Sequence, residues 1–219
     1  MRADSKLTLD DVLKCDHKIN FGMGDVKSTS GTIVPKAMLF LPHKIDTDNC
    51  FKSVKSGSHG ANIEGIIAGV LDAATANTDS LKELSDTAPG REKLAKLKVI
   101  WKSDPLPKGV IEYRSTLDPA TKEKLRSFFL SYGQGTGAEA DRQRANLAAF
   151  QWGPLKPADI SYLLPERLTE ALVALQEAKL ANKPDEIAKA QAELDDVKKQ
   201  QAAASASSAP QASADVASK

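Results

Sequence analysis

The sequence predicts a layered α/β domain followed by a helical extension. In the first half, short apolar runs alternate with segments whose apolar residues recur every three or four positions, which is the pattern of strands followed by helices. The clearest strand signal is LKVIW at 97–101, bounded by charged residues and followed by Pro105. After about residue 165 only the helical spacing remains. This change separates the extension from the α/β domain.

The elements of the α/β part follow from these patterns in order. Strands are predicted at 18–22, 51–54, 72–76, 97–101 and 110–114. Helices are predicted at 30–43, at 58–70, from 80, at 118–132 and at 138–150. The helix at 118 has Asp118 as its cap and Pro119 in its first turn, a combination typical of helix starts.

The last part of the chain predicts a helical hairpin and then a tail. The residues that share helical faces are Leu168, Leu172 and Leu175 before a break at 182–185, and Ile187, Leu194 and Val197 after it. Two helices that fold back on each other over 166–200 fit this spacing. The segment 201–219 is rich in Ala and Ser and has little apolar surface to bury, so it is predicted to be disordered.

The composition excludes several classes of partner and cofactor. The chain has 219 residues, with 30 Lys and Arg against 29 Asp and Glu, which argues against general electrostatic attraction to nucleic acid or an acidic membrane. No apolar run reaches the roughly 18–20 residues of a membrane span. Two cysteines and three histidines without clustering predict no metal site, and no cofactor is predicted. A disulfide between Cys15 and Cys50 is left open.

A hydroxyl-rich stretch between a predicted strand and a predicted helix is the first candidate site. Ser28, Thr29 and Ser30 offer three hydroxyls in a row, and Gly31 allows a bound group to approach the backbone closely. The unpaired amides and the dipole at a helix start favour an anion there. An ordinary Ser/Thr helix cap explains the same residues. The P-loop pattern is absent.

Two further segments place polar residues after predicted strands. His59 in GSHGAN stands at a helix start, where its neutral ring is favoured and can donate to an oxyanion. Asp79 in DAATANTDS follows a strand at the edge where open α/β sheets bind ligands. The alternatives are a surface histidine and a helix cap, respectively. A serine nucleophile with His59 and Asp79 is a weaker interpretation because no G-x-S-x-G elbow is present, so no catalytic residue is predicted.

These blocks together resemble the phosphate/phosphite/phosphonate substrate-binding proteins of ABC transporters. The matching runs are GDVKSTSGTIVP at 24–35, SHGAN at 58–62, VLDAATANT at 70–78, VIWKSDPLP at 99–107, LDPATKEKLRSFFLSYG at 117–133 and FQWGPLKPAD at 150–159. The resemblance covers about residues 5–165. It implies a type II periplasmic-binding-protein fold, with two α/β lobes that close over an anion. Residues 1–14 would be a remnant of the first lobe, 15–105 the nearly complete second lobe, and 106–165 a return to the first.

The resemblance also implies site residues, a partner and a location. Ser28, Thr29 and Ser30 match the triplet that grips the phosphonate oxygens, and His59 matches the histidine of that pocket. Asp79 matches the acidic residue that faces the amine of aminoalkylphosphonates. The implied function is capture of phosphonate, phosphite or phosphate for ABC permease subunits in the periplasm, with no nucleic acid involved. Alternatives are a sensory or interaction protein, a phosphate-ester enzyme, and a truncated product without activity.

Two departures from the family pattern qualify these expectations. Family members usually have roughly another hundred residues ahead of this point, a lobe-sized piece that includes the secretory signal. The start MRADSKLTLDDVLK lacks the apolar stretch of such a signal, and this absence at face value predicts a cytoplasmic chain. The family resemblance instead implies a truncated periplasmic chain with weak or no ligand binding. In addition, Gly109 and Val110 stand where many phosphonate binders have Asp-Pro, so the identity of the oxyanion stays open.

Overall fold

The structure divides into two compact units. This computed structural model describes residues 1–208, apart from the side chains of Ile160 and residues 206–208. The first unit combines Met1–Pro107 with the segment that begins at Leu164, and the second unit is Lys108–Leu163. The assignment of particular segments to a first lobe, a second lobe and a return segment stays a prediction.

The first unit contains a parallel sheet of three strands with β1 in the centre. The strands are β1 (Asn20–Met23), β2 (Ser53–Ser56) and β3 (Ala73–Ala74), in the order β2-β1-β3. Phe21 is paired with Val54 on one side and with Ala73 on the other. Because neighbouring parallel strands run in the same direction, their carboxyl ends lie at one edge of the sheet. The predicted α/β class is confirmed.

The helices agree with most of the sequence pattern. The α-helices of the described chain are α1 (Leu9–Leu13), α2 (His59–Ile67), α3 (Thr78–Ser85), α4 (Ala88–Leu94), α5 (Pro119–Ser131), α6 (Ala138–Ala149), α7 (Leu164–Leu180) and α8 (Pro184–Ser208). The predicted helix at 30–43 consists of π-helical turns at Thr29–Ile33 and Lys36–Phe40 and a 3₁₀ turn at Leu41–His43. The sequence analysis missed α4, although Thr87 caps it by accepting the amide hydrogen of Gly90.

Three phenylalanine rings form the centre of the core beside the sheet. Phe21 stacks on Phe51 with ring centroids 4.4 Å apart, and Phe40 meets both rings edge-on. All three side chains are buried. Cys50 is fully buried next to them and forms a disulfide with Cys15 across a Cα–Cα distance of 4.5 Å. The bridge that the sequence left open is therefore part of this core.

Two segments predicted as strands are irregular in the structure. At 97–101, Leu97 forms one isolated antiparallel bridge with Arg2, and Val99 is 65% exposed. At 110–114, Ile111 and Tyr113 are nearly half exposed, and the segment pairs with no described strand. Both predictions were wrong because an apolar run becomes a strand only when a neighbour completes its hydrogen-bond ladder.

The C-terminal extension is a hairpin of α7 and α8, as the spacing predicted. The turn passes through Asn182 in the left-handed conformation, and the two helices bury Ala171, Leu175, Leu194 and Val197. α8 continues to Ser208, so residues 201–208 are helical where disorder was predicted; residues 209–219 lie outside the described part. None of the helices in residues 1–208 combines the length and apolarity needed to cross a membrane.

Candidate ligand-binding site

The three predicted site segments all follow the carboxyl ends of strands in the same sheet. Residues 24–28 follow the central strand β1, Gly57 and Ser58 follow β2, and residues 75–77 follow β3. Each segment leads into a helical turn. Ligands of open parallel sheets bind at this edge because loops and helix starts converge there.

Ser28 opens the first helical turn and organises its backbone. Its Oγ accepts the amide hydrogen of Gly31 at 3.1 Å, and its carbonyl oxygen accepts those of Thr32 and Ile33. The cap that the sequence allowed as an alternative to ligand binding is thus present, and it engages the amide of Gly31. The amides of Thr29 and Ser30, in the first positions of the turn, have no partner within the turn itself.

Ser30 and His59 meet directly across the site. Ser30 Oγ lies 3.0 Å from His59 Nε2, although the two residues come from different strand-to-helix connections. His59 is the first residue of α2, and Ser58 caps that helix by accepting the amide hydrogen of Ala61 at 3.2 Å. Two helical starts therefore converge on one hydroxyl–imidazole pair.

The environment of His59 favours its neutral form. Burial lowers the pKa of the imidazole, and the negative charge of Asp25 opposes this shift in part. Nδ1 is buried and has no hydrogen-bond partner among the described residues. An unpaired acceptor is tolerated better than an unpaired N–H, so the proton fits best on Nε2, where it is donated to Ser30 Oγ. The Ser30 hydroxyl hydrogen is then available to a ligand oxygen.

Gly31 allows the two helical starts to approach each other. A Cβ at this position would lie 2.9 Å from the Cα of Gly24, 2.9 Å from Ser28 Oγ and 3.1 Å from His59 Cε1. Such distances are shorter than ordinary carbon contacts. Packing at this position therefore requires a glycine, whether or not a ligand is bound.

Asn62 and Thr75 hold the site together, and the sequence analysis assigned them no role. Asn62 is buried, and its Nδ2 donates to the carbonyl oxygens of Met23 and Thr75, which link the ends of β1 and β3. Thr75 Oγ1 donates to the carbonyl oxygen of Gly31 at 2.8 Å. Asn62 belongs to the SHGAN run, so a polar residue on the buried face of a predicted helix was the available signal.

The side chain of Thr29 contacts a distant residue that no local sequence pattern indicated. Its Oγ1 donates to Oε1 of Glu166, in the first turn of α7. Both residues are partly buried in this contact. The three hydroxyls therefore differ: Ser28 caps the turn, Ser30 meets His59, and Thr29 meets a carboxylate.

Asp79 is exposed and belongs to a different strand-to-helix connection from His59. It lies in the first turn of α3, after β3, whereas His59 follows β2. The cap of α3 is Asn77, whose Oδ1 accepts the amide hydrogen of Ser80 at 2.9 Å, so the interpretation of Asp79 as the cap was wrong. A contact between Asp79 and a ligand amine stays a prediction. Within residues 1–208, no group of three or more His, Cys, Asp or Glu side chains is arranged to hold a metal ion.

Comparisons of the chain with a family model and with a known protein agree on one family. Residues 1–163 match the family model described as the periplasmic substrate-binding protein of a phosphonate ABC transporter. The chain belongs to this family. Over 195 residues, 86% of its length, it is 34% identical to the phosphonates-binding periplasmic protein of Escherichia coli strain K12 and spans 55% of that protein.

A solved structure supports the same assignment. The crystal structure of a binding protein component of an ABC phosphonate transporter from Pseudomonas aeruginosa is similar with a TM-score of 0.75 and 31% identity. The similarity covers 93% of this chain and 68% of that one. The resemblance of the sequence to the phosphonate-binding family and its periplasmic-binding-protein fold are thereby confirmed.

Proposed function

We propose that this chain acts in an ABC importer as the solute-binding component and captures a phosphorus oxyanion: a phosphonate, phosphite or phosphate. The observation that carries the proposal is the Ser30–His59 pair, which joins two helical starts at the carboxyl edge of the parallel sheet. The names of the matching relatives support a phosphonate-type ligand, permease subunits as partners, and the periplasm as the compartment.

The chemistry of the site suits reversible binding of a tetrahedral dianion. The Ser30 hydroxyl, once it accepts from His59, can donate its own hydrogen to a ligand oxygen, and the amides of Thr29 and Ser30 supply further donors at a helix start. A hydrogen bond to a charged group contributes about 1.5–3 kcal/mol. These donors are neutral, so they hold the anion without adding a fixed positive charge of their own, which permits release.

The same pair supports binding rather than hydrolysis. A serine nucleophile needs a histidine base that is held by a third group at its other nitrogen. His59 Nδ1 has no hydrogen-bond partner in the described chain, and Asp25 acts on the ring only as a nearby charge. We therefore assign Ser30 and His59 to ligand binding.

Calorimetry with phosphate, phosphite, methylphosphonate and 2-aminoethylphosphonate tests the proposal. We expect Ser30→Ala and His59→Ala each to weaken binding of the preferred ligand at least about tenfold, since each removes a hydrogen bond to the anion or its support. Ser115→Ala, at an exposed serine of the second unit, is the control and should bind as the unchanged chain does. Absence of binding to all four ligands at millimolar concentration, or equal affinity of the three variants, would contradict the proposal.

A sensory protein is the second candidate function, and the contact of α7 with Thr29 favours it. A helix that touches the ligand site can transmit occupancy to another protein. Uptake of phosphonate by cells that lack the gene separates the candidates. An importer component is required for uptake, whereas a sensor leaves uptake intact when the transporter genes are expressed from an independent promoter.

A further inference from the structure

The first turn of α7 lies against the hydroxyl triplet. Thr29 Oγ1 donates its hydrogen to Glu166 Oε1, over a sequence separation of 137 residues. A hydroxyl has one hydrogen to donate. While Glu166 accepts it, a ligand oxygen cannot, so one of the predicted donors is already used by a carboxylate of the same chain.

A second contact holds α7 in this position. Lys36 Nζ forms an ion pair with Glu177, about three helical turns beyond Glu166 and so on the same face of α7. The Lys36 side chain is only 16% exposed, which strengthens the pair relative to one in open solvent. Arg167 Nη1 donates to Oε1 of Gln200 at 2.8 Å and ties this end of α7 to α8. α7 is thus held against the two π-helical turns near its start, through Glu166, and near its end, through Glu177.

The hairpin also brings negative charge to the site. Glu170 follows Glu166 by one turn, and burial together with the charges of Glu166 and Glu193 raises the pKa of the Glu170 carboxyl. The positive charges of Arg167 and Lys27 oppose this shift in part. A dianionic ligand at the triplet would meet the carboxylate of Glu166 at short range, and like charges at such a distance repel each other.

We propose that Glu166 is a built-in competitor of the oxyanion: its carboxylate occupies the Thr29 hydroxyl, so that this contact of the hairpin and ligand binding exclude each other. The inference rests on the proposed function and adds its regulation. Linkage is reciprocal, so whatever lifts the first turn of α7 raises the affinity for the anion, and the anion in turn releases that turn. A partner protein that binds the hairpin is thereby coupled to the ligand site.

Calorimetry with methylphosphonate on four single variants and one double variant tests the competition. Glu166→Ala frees the Thr29 hydroxyl and should bind at least about tenfold more tightly than the unchanged chain, the equivalent of one charged hydrogen bond. Glu170→Ala removes the same charge one turn away without freeing the hydroxyl, so its gain should be smaller. Thr29→Val removes the contested donor. Adding Glu166→Ala to this variant should raise its affinity less than Glu166→Ala raises the affinity of the unchanged chain. Glu166→Gln, which keeps the shape of the side chain, controls for changes in folding.

The outcomes distinguish this inference from the function on which it rests. Equal affinity of Glu166→Ala, Glu166→Gln and the unchanged chain overturns the competition and leaves the binding function in place. If Glu166→Ala raises the affinity equally with and without Thr29→Val, the gain comes from the removal of a negative charge in general. The competition for the Thr29 hydroxyl is then overturned as well. If neither the unchanged chain nor Glu166→Ala binds methylphosphonate, phosphite or phosphate at millimolar concentration, both the function and the competition are refuted.

Hydrogen exchange gives a readout without an affinity measurement. In the unchanged chain, saturating methylphosphonate should accelerate exchange of the amides in the first turns of α7, because the ligand takes the hydrogen that held Glu166. The same ligand should leave these amides unaltered in Glu166→Ala. Equal or slower exchange of α7 in the ligand-bound unchanged chain contradicts the proposal.

Discussion

Substitution of Gly31 by alanine tests the geometry on which the site depends. The new Cβ would lie 2.9 Å from the Cα of Gly24, which is main chain and cannot rotate away, and 2.9 Å from Ser28 Oγ. Either the turn at 29–33 or the loop after β1 must therefore move. Such a movement also disturbs the bond from the Gly31 amide to Ser28 Oγ and the contact with the His59 ring.

The expected cost follows from these contacts. Overpacking in a closely packed region costs about 1–3 kcal/mol, and the smaller conformational entropy of unfolded alanine returns only about 0.4–1 kcal/mol. Gly60 provides a matched control, because a Cβ there meets nothing within 4 Å. Gly60→Ala should therefore be neutral or stabilising, and the free energies of unfolding of the two variants should differ by about 1 kcal/mol or more in urea titrations.

Ligand affinity provides the second readout for this pair of variants. We expect Gly31→Ala to weaken methylphosphonate binding at least about tenfold, because Ser28 and His59 are both displaced by the new methyl group. Gly60→Ala, whose methyl group points into open space, should retain the affinity. If Gly31→Ala matches Gly60→Ala in both stability and affinity, the close approach of the two helical starts is refuted.

Two further predictions concern the supports of the site. Asn62→Ala removes the hydrogen bonds that the buried side-chain amide donates to the carbonyl oxygens of Met23 and Thr75. It should lower the free energy of unfolding by about 1–3 kcal/mol in urea titrations. Asn49→Ala at an exposed position should change this free energy by less than about 0.5 kcal/mol. Burial lowers the pKa of His59 in the folded chain, so the unfolded chain takes up this proton at a higher pH. The contribution of His59 to stability is therefore present above about pH 6.5 and is lost as the pH falls towards the folded pKa. His59→Gln should remove that part of the acid dependence, and an unchanged pH profile would contradict the assignment.

Local signals in the sequence predicted most of the helices and the segments that follow the strands at one sheet edge. Ser58 and Asp118 cap their helices through the amide three residues ahead, an interaction that depends on neighbouring residues only. The hairpin of α7 and α8 follows from periodic leucines, since one apolar face can be buried only against another. Ser30 and His59 were both placed after predicted strands, and the parallel sheet brings the ends of those strands to one edge.

Other features depended on contacts between distant parts of the chain. The apolar runs at 97–101 and 110–114 have the composition of strands, yet neither has the neighbour that a strand needs. The sequence also could not decide whether Cys15 and Cys50 are bonded, because the fold brings their Cα atoms to 4.5 Å across 35 positions.

Composition and short-range pattern were thus enough to define the class of the fold, its helical extension and the hydroxyl and imidazole groups that face one sheet edge. The tertiary structure alone assigned those groups different partners: a backbone amide for Ser28, an imidazole for Ser30 and a glutamate carboxylate for Thr29. The physical reason is the separation along the sequence between the residues that interact. A cap or an amphipathic face is formed by residues within a few positions of one another, whereas the single hydrogen of a hydroxyl goes to whichever acceptor the packing of a remote helix brings near.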